Sequence, residues 1–307
     1  KAGCAIADRF SKYPQYKIFK IDSEGLDKDE KRSHLLKRRK HPEQYESDAP
    51  QLKTFFRYTT DDILFVVSGS GVISGATLQV LKHLSKKSIS VLYIKPDLEF
   101  LGKVNVYQER LVRCVLQEYA RSKMINRLYL VDNKQVETIL GDVPIIGYYD
   151  KLNDLIVSTI HMLNVYNHQE SVHSTPFEPQ DTTAISTFGI TDLEKGEEKL
   201  FFLLDNIKEK CYYYAINSET LQTDGKLLRR LTDNINKNIE SLNGRLEVKD
   251  RAIAREVDKT KAQSDLVVME QRKVKALEDD IHVYAQEAAK QRKLIYQLEK
   301  ERERLGS

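Results

Sequence analysis

The sequence predicts an α/β fold built on a parallel sheet and followed by one very long helix. Three observations lead there. Short apolar runs, "DILFVVSGSG" (62–71), "SISVLYIKP" (88–96) and "NRLYLVDN" (126–133), recur with helical segments between them, the alternation expected of βαβ units. The first run is apolar almost throughout and the next two repeat it, as in strands covered on both faces. From about Leu221 onward proline disappears and apolar residues return at steps of three, four and seven among charged ones, the pattern of a coiled-coil helix.

Composition narrows the class further. Of 307 residues 40% are hydrophobic, enough for a core, while 31% charge and a mean hydropathy of −0.51 put much of the chain in water. A net charge of +3 makes no case for a nucleic-acid partner. The three cysteines, Cys4, Cys114 and Cys211, lie far apart, so neither a disulfide framework nor a zinc site is expected and a reducing cytoplasm is. No apolar run of about 18 residues predicts a membrane span, and no signal peptide is read.

The elements follow in order. "KAGCAIADRF" (1–10) reads as a glycine loop already entering a helix, so a strand is expected ahead of it; the closing Gly306-Ser307 reads as a cloning remnant. "YKIFKID" (16–22) reads as a strand. The segment 24–56, with "KRSHLLKRRKHPEQ", reads as a solvated helix and loop rather than a basic contact patch. The strand from 62 then runs through a glycine turn into a helix, "VVSGSGVISGATLQVLKHL" (66–84). Open amides at a helix start favour a phosphate, and Gly69, Gly71 and Gly75 would let the backbone approach one. No lysine follows Gly75, which excludes a P-loop, and the glycine spacing misses the dinucleotide fingerprint by one residue.

A helix over 104–123, the strand 126–133 and a long helix at about 147–166 come next. The polar loop "NHQESVHSTPFEPQD" leads to a strand over 182–190, a helix over 195–210 and a strand over 211–217. Beyond lies the amphipathic stripe Ile235, Ile239, Leu242, Leu246 and Ile253, then Val267, Val274, Ile281, Ala288, Ile295 and Leu298, interrupted by Lys249, Thr260 and Gln271. Some 80 such residues reach on the order of 120 Å and need a partner helix to bury their stripe. The expected division is 1–146 for the sheet domain, 147–167 for a central helix, 168–224 for a reduced α+β second domain and 225–307 for the coiled coil.

Taken in order, the loops resemble those of the tubulin/FtsZ superfamily, in a divergent phage or bacterial form. "AGCAIADRF" is similar to its first phosphate loop, "KIDSE" stands where it has an Asn-Thr-Asp turn, and Ser74-Gly75 answers the Thr-Gly pair of its GGGTGSG loop. Val72 and Ile73 replace glycines of that loop. "KPDLEFLG" resembles R-P-F-x-F-E-G, "VDNKQVETIL" resembles P-N-D-K-L-L, and "YYDKLNDLIVSTI" resembles the start of the central helix. "FGITDLEKGEEKLFFLLDNI" is similar to the opening of the second domain.

The resemblance implies a Rossmann-like GTP-binding domain, with GTP or GDP and Mg2+ as cofactors. Its nucleotide contacts would be Gly3, Cys4, Gly69, Ser70, Gly71, Ser74, Gly75, Glu99, Asn133 and Asp154, the last two reading the guanine edge. It further implies a cytoskeletal protein that self-assembles into filaments in the cytoplasm, or in a host's cytoplasm for a phage protein. Its GTPase activity would depend on assembly. Glu178 and Asp181 are the candidate catalytic acids, although an ungapped alignment puts Val172 and Thr175 at those positions, and Thr175-Pro176-Phe177-Glu178 also reads as a capping box. His168 and His173 have no third ligand, so no metal site of their own is expected. A nucleotide-free scaffold of the same fold, acting through its coiled coil, is the alternative. A dinucleotide enzyme ranks below both, because no acid ends the strand after the glycine turn to meet the ribose, lysine and proline standing there in "YIKPD". Parts of "QEAAKQRKLIYQLEKERERLG" resemble coiled-coil proteins of the ciliary axoneme, and a natural variant and an engineered fusion both stand open.

Overall fold

The computed structural model describes residues 2–26, 31–47, 52–168, 184–192 and 195–305. The chain forms two compact units, Lys1–Leu227 and Leu228–Ser307. In the first, α1 (Ala2–Phe10) leads to β1 (Lys20–Asp22), β2 (Ser33–Leu35) and α2 (Glu43–Ser47). Next come β3 (Asp62–Ser68), α3 (Thr77–Leu84), β4 (Ser88–Lys95), α4 (Lys103–Arg121), β5 (Arg127–Asp132), α5 (Asn133–Leu140) and α6 (Tyr148–His168). Three short strands, β6 (Ile185–Ser186), β7 (Gly189–Thr191) and β8 (Glu198–Leu200), and α7 (Ser218–Thr223) complete it.

The main sheet has the order β3-β4-β5-β6 with all neighbours parallel, and Val91 of β4 sits between Phe65 and Leu128 in register. Successive side chains of a strand point to opposite faces, and the core divides accordingly. Ile89, Val91 and Tyr93 of β4 with Leu128 and Leu130 of β5 meet Val80, Leu81 and Leu84 of α3 and Val112, Leu116 and Ala120 of α4. Leu92 and Ile94 with Val131 meet Ile6 and Phe10 of α1, Val136 of α5 and Leu152, Ile156, Val157 and Ile160 of α6. Helices therefore cover both faces, which is why the strand sequences carry apolar residues in both phases. Each such side chain contributes about 1.5–3 kcal/mol by leaving water.

The segment 24–56 departs from the solvated reading. Leu36, Tyr45, Leu52, Phe55 and Phe56 are buried among its charges and join the α3–α4 side of the core. β1 and β2 pair in parallel with Lys20 opposite Ser33, apart from the main sheet.

The helix expected over 195–210 is not formed, nor the strand over 211–217. Instead β8 pairs antiparallel with β7, Gly189 opposite Leu200. Phe201 explains the outcome: it is fully buried, its ring lies 5.2 Å from that of Phe188, and its backbone donates to Phe188 O and accepts from Asp132 N. These long-range contacts outrank the local helix propensity of "KGEEKLFFLL".

The second unit is helical, the long α8 running Leu227–Leu305 over 79 residues. Ile239, Ile253, Val257, Val267 and Val274 are all exposed along it. The fold is thus mixed α/β with a parallel sheet and a carboxyl-terminal coiled-coil region. Among the described residues no helix is long and apolar enough to cross a membrane.

Candidate functional site

The glycine turn after β3 is organised by its own protein partners. Ser74 donates from Oγ to the carbonyls of Gly69 (2.9 Å) and Gly71 (2.6 Å), and Gln108 donates to Ser74 Oγ. A Cβ on Gly69 would lie 2.2 Å from the Tyr93 hydroxyl, and one on Gly75 would lie 2.1 Å from the Pro42 carbonyl oxygen. Both positions therefore admit glycine alone because of intramolecular contacts, without reference to a bound anion. A 3-10 turn over Val72–Ala76, which contains Gly75, separates Gly69 and Gly71 from the start of α3, so these two glycines do not open directly onto the amides of α3.

Asp154 on α6 accepts from Arg9 Nε at 2.8 Å, and Asp150 accepts from Arg9 Nη2 at 2.5 Å. One guanidinium on α1 thus bridges two carboxylates a helical turn apart and ties α1 to α6. Asp132 caps α5 by accepting from Lys134 N, and its other oxygen accepts from Lys95 Nζ at 2.5 Å. Lys134 Nζ in turn donates to Glu99. Asn133, the first residue of α5, keeps a buried Oδ1 without a hydrogen-bond partner.

Two cavities separate the predicted nucleotide contacts. Gly3, Cys4, Ser70, Gly71 and Ser74 line a cavity of about 940 Å³, whereas Asp154 lines another of about 460 Å³ beside Arg9 and Lys151. Gly69, Gly75, Glu99 and Asn133 line neither. Glu178 and Asp181 lie outside the described residues, as do Val172, His173 and Thr175. Among the described residues no three His, Cys, Asp or Glu side chains group to hold a metal.

The chemistry that sequence reading missed is internal. Glu109 of α4 is fully buried and accepts from the Tyr93 hydroxyl at 3.1 Å and from Arg113 Nε at 2.9 Å. Burial, and then the Glu109 carboxylate, push the Tyr93 hydroxyl far above its usual pKa. Glu109 lies three, seven and eleven positions before the buried Val112, Leu116 and Ala120, so helical spacing marked its face as buried. In the larger cavity the Cys4 thiol donates to Asp22 Oδ2 at 3.6 Å, and burial, with Asp22 beside it, raises the thiol pKa.

Comparison with known families bears on the other unit. The family described as the CFAP58 central coiled coil matches residues 219–306, which take in most of α7 and all of α8. No curated protein matches the chain. CFAP58 is a cilia- and flagella-associated family, and that finding overturns the tubulin/FtsZ recognition. With it go the GTP-binding, filament-forming cytoskeletal function and the nucleotide-free scaffold of that fold. The coiled coil is supported, and the axonemal likeness of its last segment, not the likeness of the amino-terminal loops, pointed toward the matched family.

Proposed function

We propose that the chain is a coiled-coil interaction protein of the cilia- and flagella-associated kind, working through α8, with the α/β unit as its folded amino-terminal part. The match over residues 219–306 carries this reading. The helix supports it: Ile239, Ile253, Val267 and Val274 fall on a seven-residue repeat that Leu246, Thr260, Ile281, Ala288 and Ile295 continue. A β-branched column at one heptad position favours two strands in a parallel pair, and the partner that repeats the column in register is a second copy of this chain. The companion column is weaker, Leu242, Leu277, Tyr284 and Leu298 being spaced by Lys249, Glu256, Gln263, Glu270 and Gln291. Polar residues at seam positions fix register at some cost in stability.

Sedimentation equilibrium tests the reading. The protein is expected at roughly twice its 35.5 kDa chain mass, and Val267→Asp with Val274→Asp returns it to the monomer mass. A wild-type monomer at all concentrations up to about 100 μM would refute self-pairing. The CFAP58 coiled-coil segment then becomes the partner to mix with it.

A further inference from the structure

The cavity of about 940 Å³ has the form of a missing strand. Every residue of β3 lines it, and so does every residue from 15 to 23, which includes β1. Side chains of a strand alternate between faces, so a cavity touched by each residue in turn runs along the backbone edges. Among the described residues β3 ends the main sheet and β1 ladders with β2 alone. Ala7 and Phe10 of α1 close one face of the slot, and Phe55, Val80 and Leu84 close the other.

The size agrees. A strand flanked at about 4.8 Å, rising about 3.3 Å per residue in a layer about 10 Å thick, occupies about 160 Å³ per residue. The cavity therefore accommodates about six residues, close to the length of β3.

Direction identifies the occupant. Gly3, at the start of α1, lies against the carbonyl of Val66 near the carboxyl end of β3, where a Cβ would stand 3.2 Å from the oxygen. Its neighbour Cys4 reaches Asp22, the last residue of β1. β1 and β3 therefore end on the same side, at the amino terminus of α1, and α1 runs back along the slot. A strand lying parallel between them would deliver its chain to the first residue of α1. We propose that the slot receives an extended apolar segment of about six residues, joined directly to the amino terminus of α1. Seated there it unites the two sheets in the order β2-β1-strand-β3-β4-β5-β6.

The test compares the 307-residue chain with the same chain carrying Ile-Val-Val-Val-Ile-Val ahead of Lys1, and with a Gly-Ser segment of equal length there. The apolar extension is expected to raise the thermal midpoint by about 5–10 °C. In a Cys114→Ser, Cys211→Ser background it is also expected to slow maleimide labelling of Cys4, which lines the slot, at least tenfold. Equality of the two extended chains in both readings would overturn the proposal. So would a free hexapeptide that reproduces both effects when the joined segment gives neither, since the strand would then come from another molecule.

Discussion

Tyr93, in the middle of β4, donates its hydroxyl to the fully buried carboxylate of Glu109 on α4. That bond ties the sheet to the helix across a core that is otherwise apolar, and Arg113, itself 23% exposed, supplies the balancing charge. Removing one member of a buried charged pair leaves the other without compensation, which costs about 3–5 kcal/mol. Glu109→Ala is therefore expected to lose about 3 kcal/mol, the lower end, because Arg113 can turn to water. Glu109→Gln keeps an acceptor for both donors and is expected to lose about half as much. Urea denaturation of the three proteins measures the order, and equal stability of wild type and Glu109→Ala would show the network to be neutral.

The three glycines of the turn after β3 separate a packing role from an anion-binding one. Gly75→Ala places a methyl against the backbone of Pro42, at 2.1 Å from its oxygen, which no rotamer relieves. Gly69→Ala meets the Tyr93 hydroxyl at 2.2 Å and displaces it from Glu109. Gly71 has an ordinary φ of −81° and its nearest neighbour to a Cβ is 3.9 Å away. Overpacking costs about 1–3 kcal/mol, whereas Gly→Ala at a permissive position gains about 0.4–1 kcal/mol. Thermal unfolding is expected to rank Gly71→Ala above wild type and both others below it. A loss at Gly71 equal to that at Gly75 would contradict the contact account.

Much of the sheet was legible because a continuous apolar run can be satisfied only by burial on both faces, and the split of Val91 and Tyr93 from Leu92 and Ile94 between two cores is that requirement met. The failures came where distant residues decided. Nothing near Gly75 announces that the chain at Pro42 will pass within contact, and nothing in "KGEEKLFFLL" says that Phe201 will bond Phe188 and Asp132. The tubulin/FtsZ resemblance rested on short motifs, and ordinary local chemistry now accounts for several of them. Asp132 caps a helix, Glu99 pairs with Lys134, and Asp154 holds Arg9. The heptad column of α8 needed no tertiary knowledge, since a period of seven is visible in the residues themselves.

Arg9 is 14% exposed, while Asp150 and Asp154 are 72% and 54% exposed, so solvent screens the carboxylates and weakens each pair. Arg9→Met is expected to cost about 1 kcal/mol, combining the loss of two hydrogen bonds to carboxylates and one to the Ala5 carbonyl with the retained packing of its stem. Asp154→Asn is expected to cost under about 0.5 kcal/mol, because Asp150 still holds the guanidinium. A double-mutant cycle by urea denaturation measures the coupling, and its absence would show that the Arg9–Asp154 pair does not help tie α1 to α6.

His161 of α6 gives the α/β unit a pH dependence of definite sign. Its ring stacks on Tyr13 with centroids 3.8 Å apart, and its Nδ1 lies 3.0 Å from the Tyr16 hydroxyl, which accepts from Asn164. A neutral ring with its proton on Nε2 accepts the Tyr16 hydroxyl at Nδ1, a role that the protonated ring cannot fill. Burial lowers the His161 pKa below 6.5, and burial lowers His34 likewise. The unfolded chain then binds more protons than the folded one near and below pH 6.5, so stability present above that pH is lost as pH falls through the folded values. The thermal midpoint is expected to drop between pH 7.5 and 5. His161→Phe, which retains stacking on Tyr13 but cannot take a proton, is expected to flatten that drop, and His34→Phe to flatten it further. If the midpoint of His161→Phe falls as steeply as that of wild type, proton uptake at this ring does not set the acid limb.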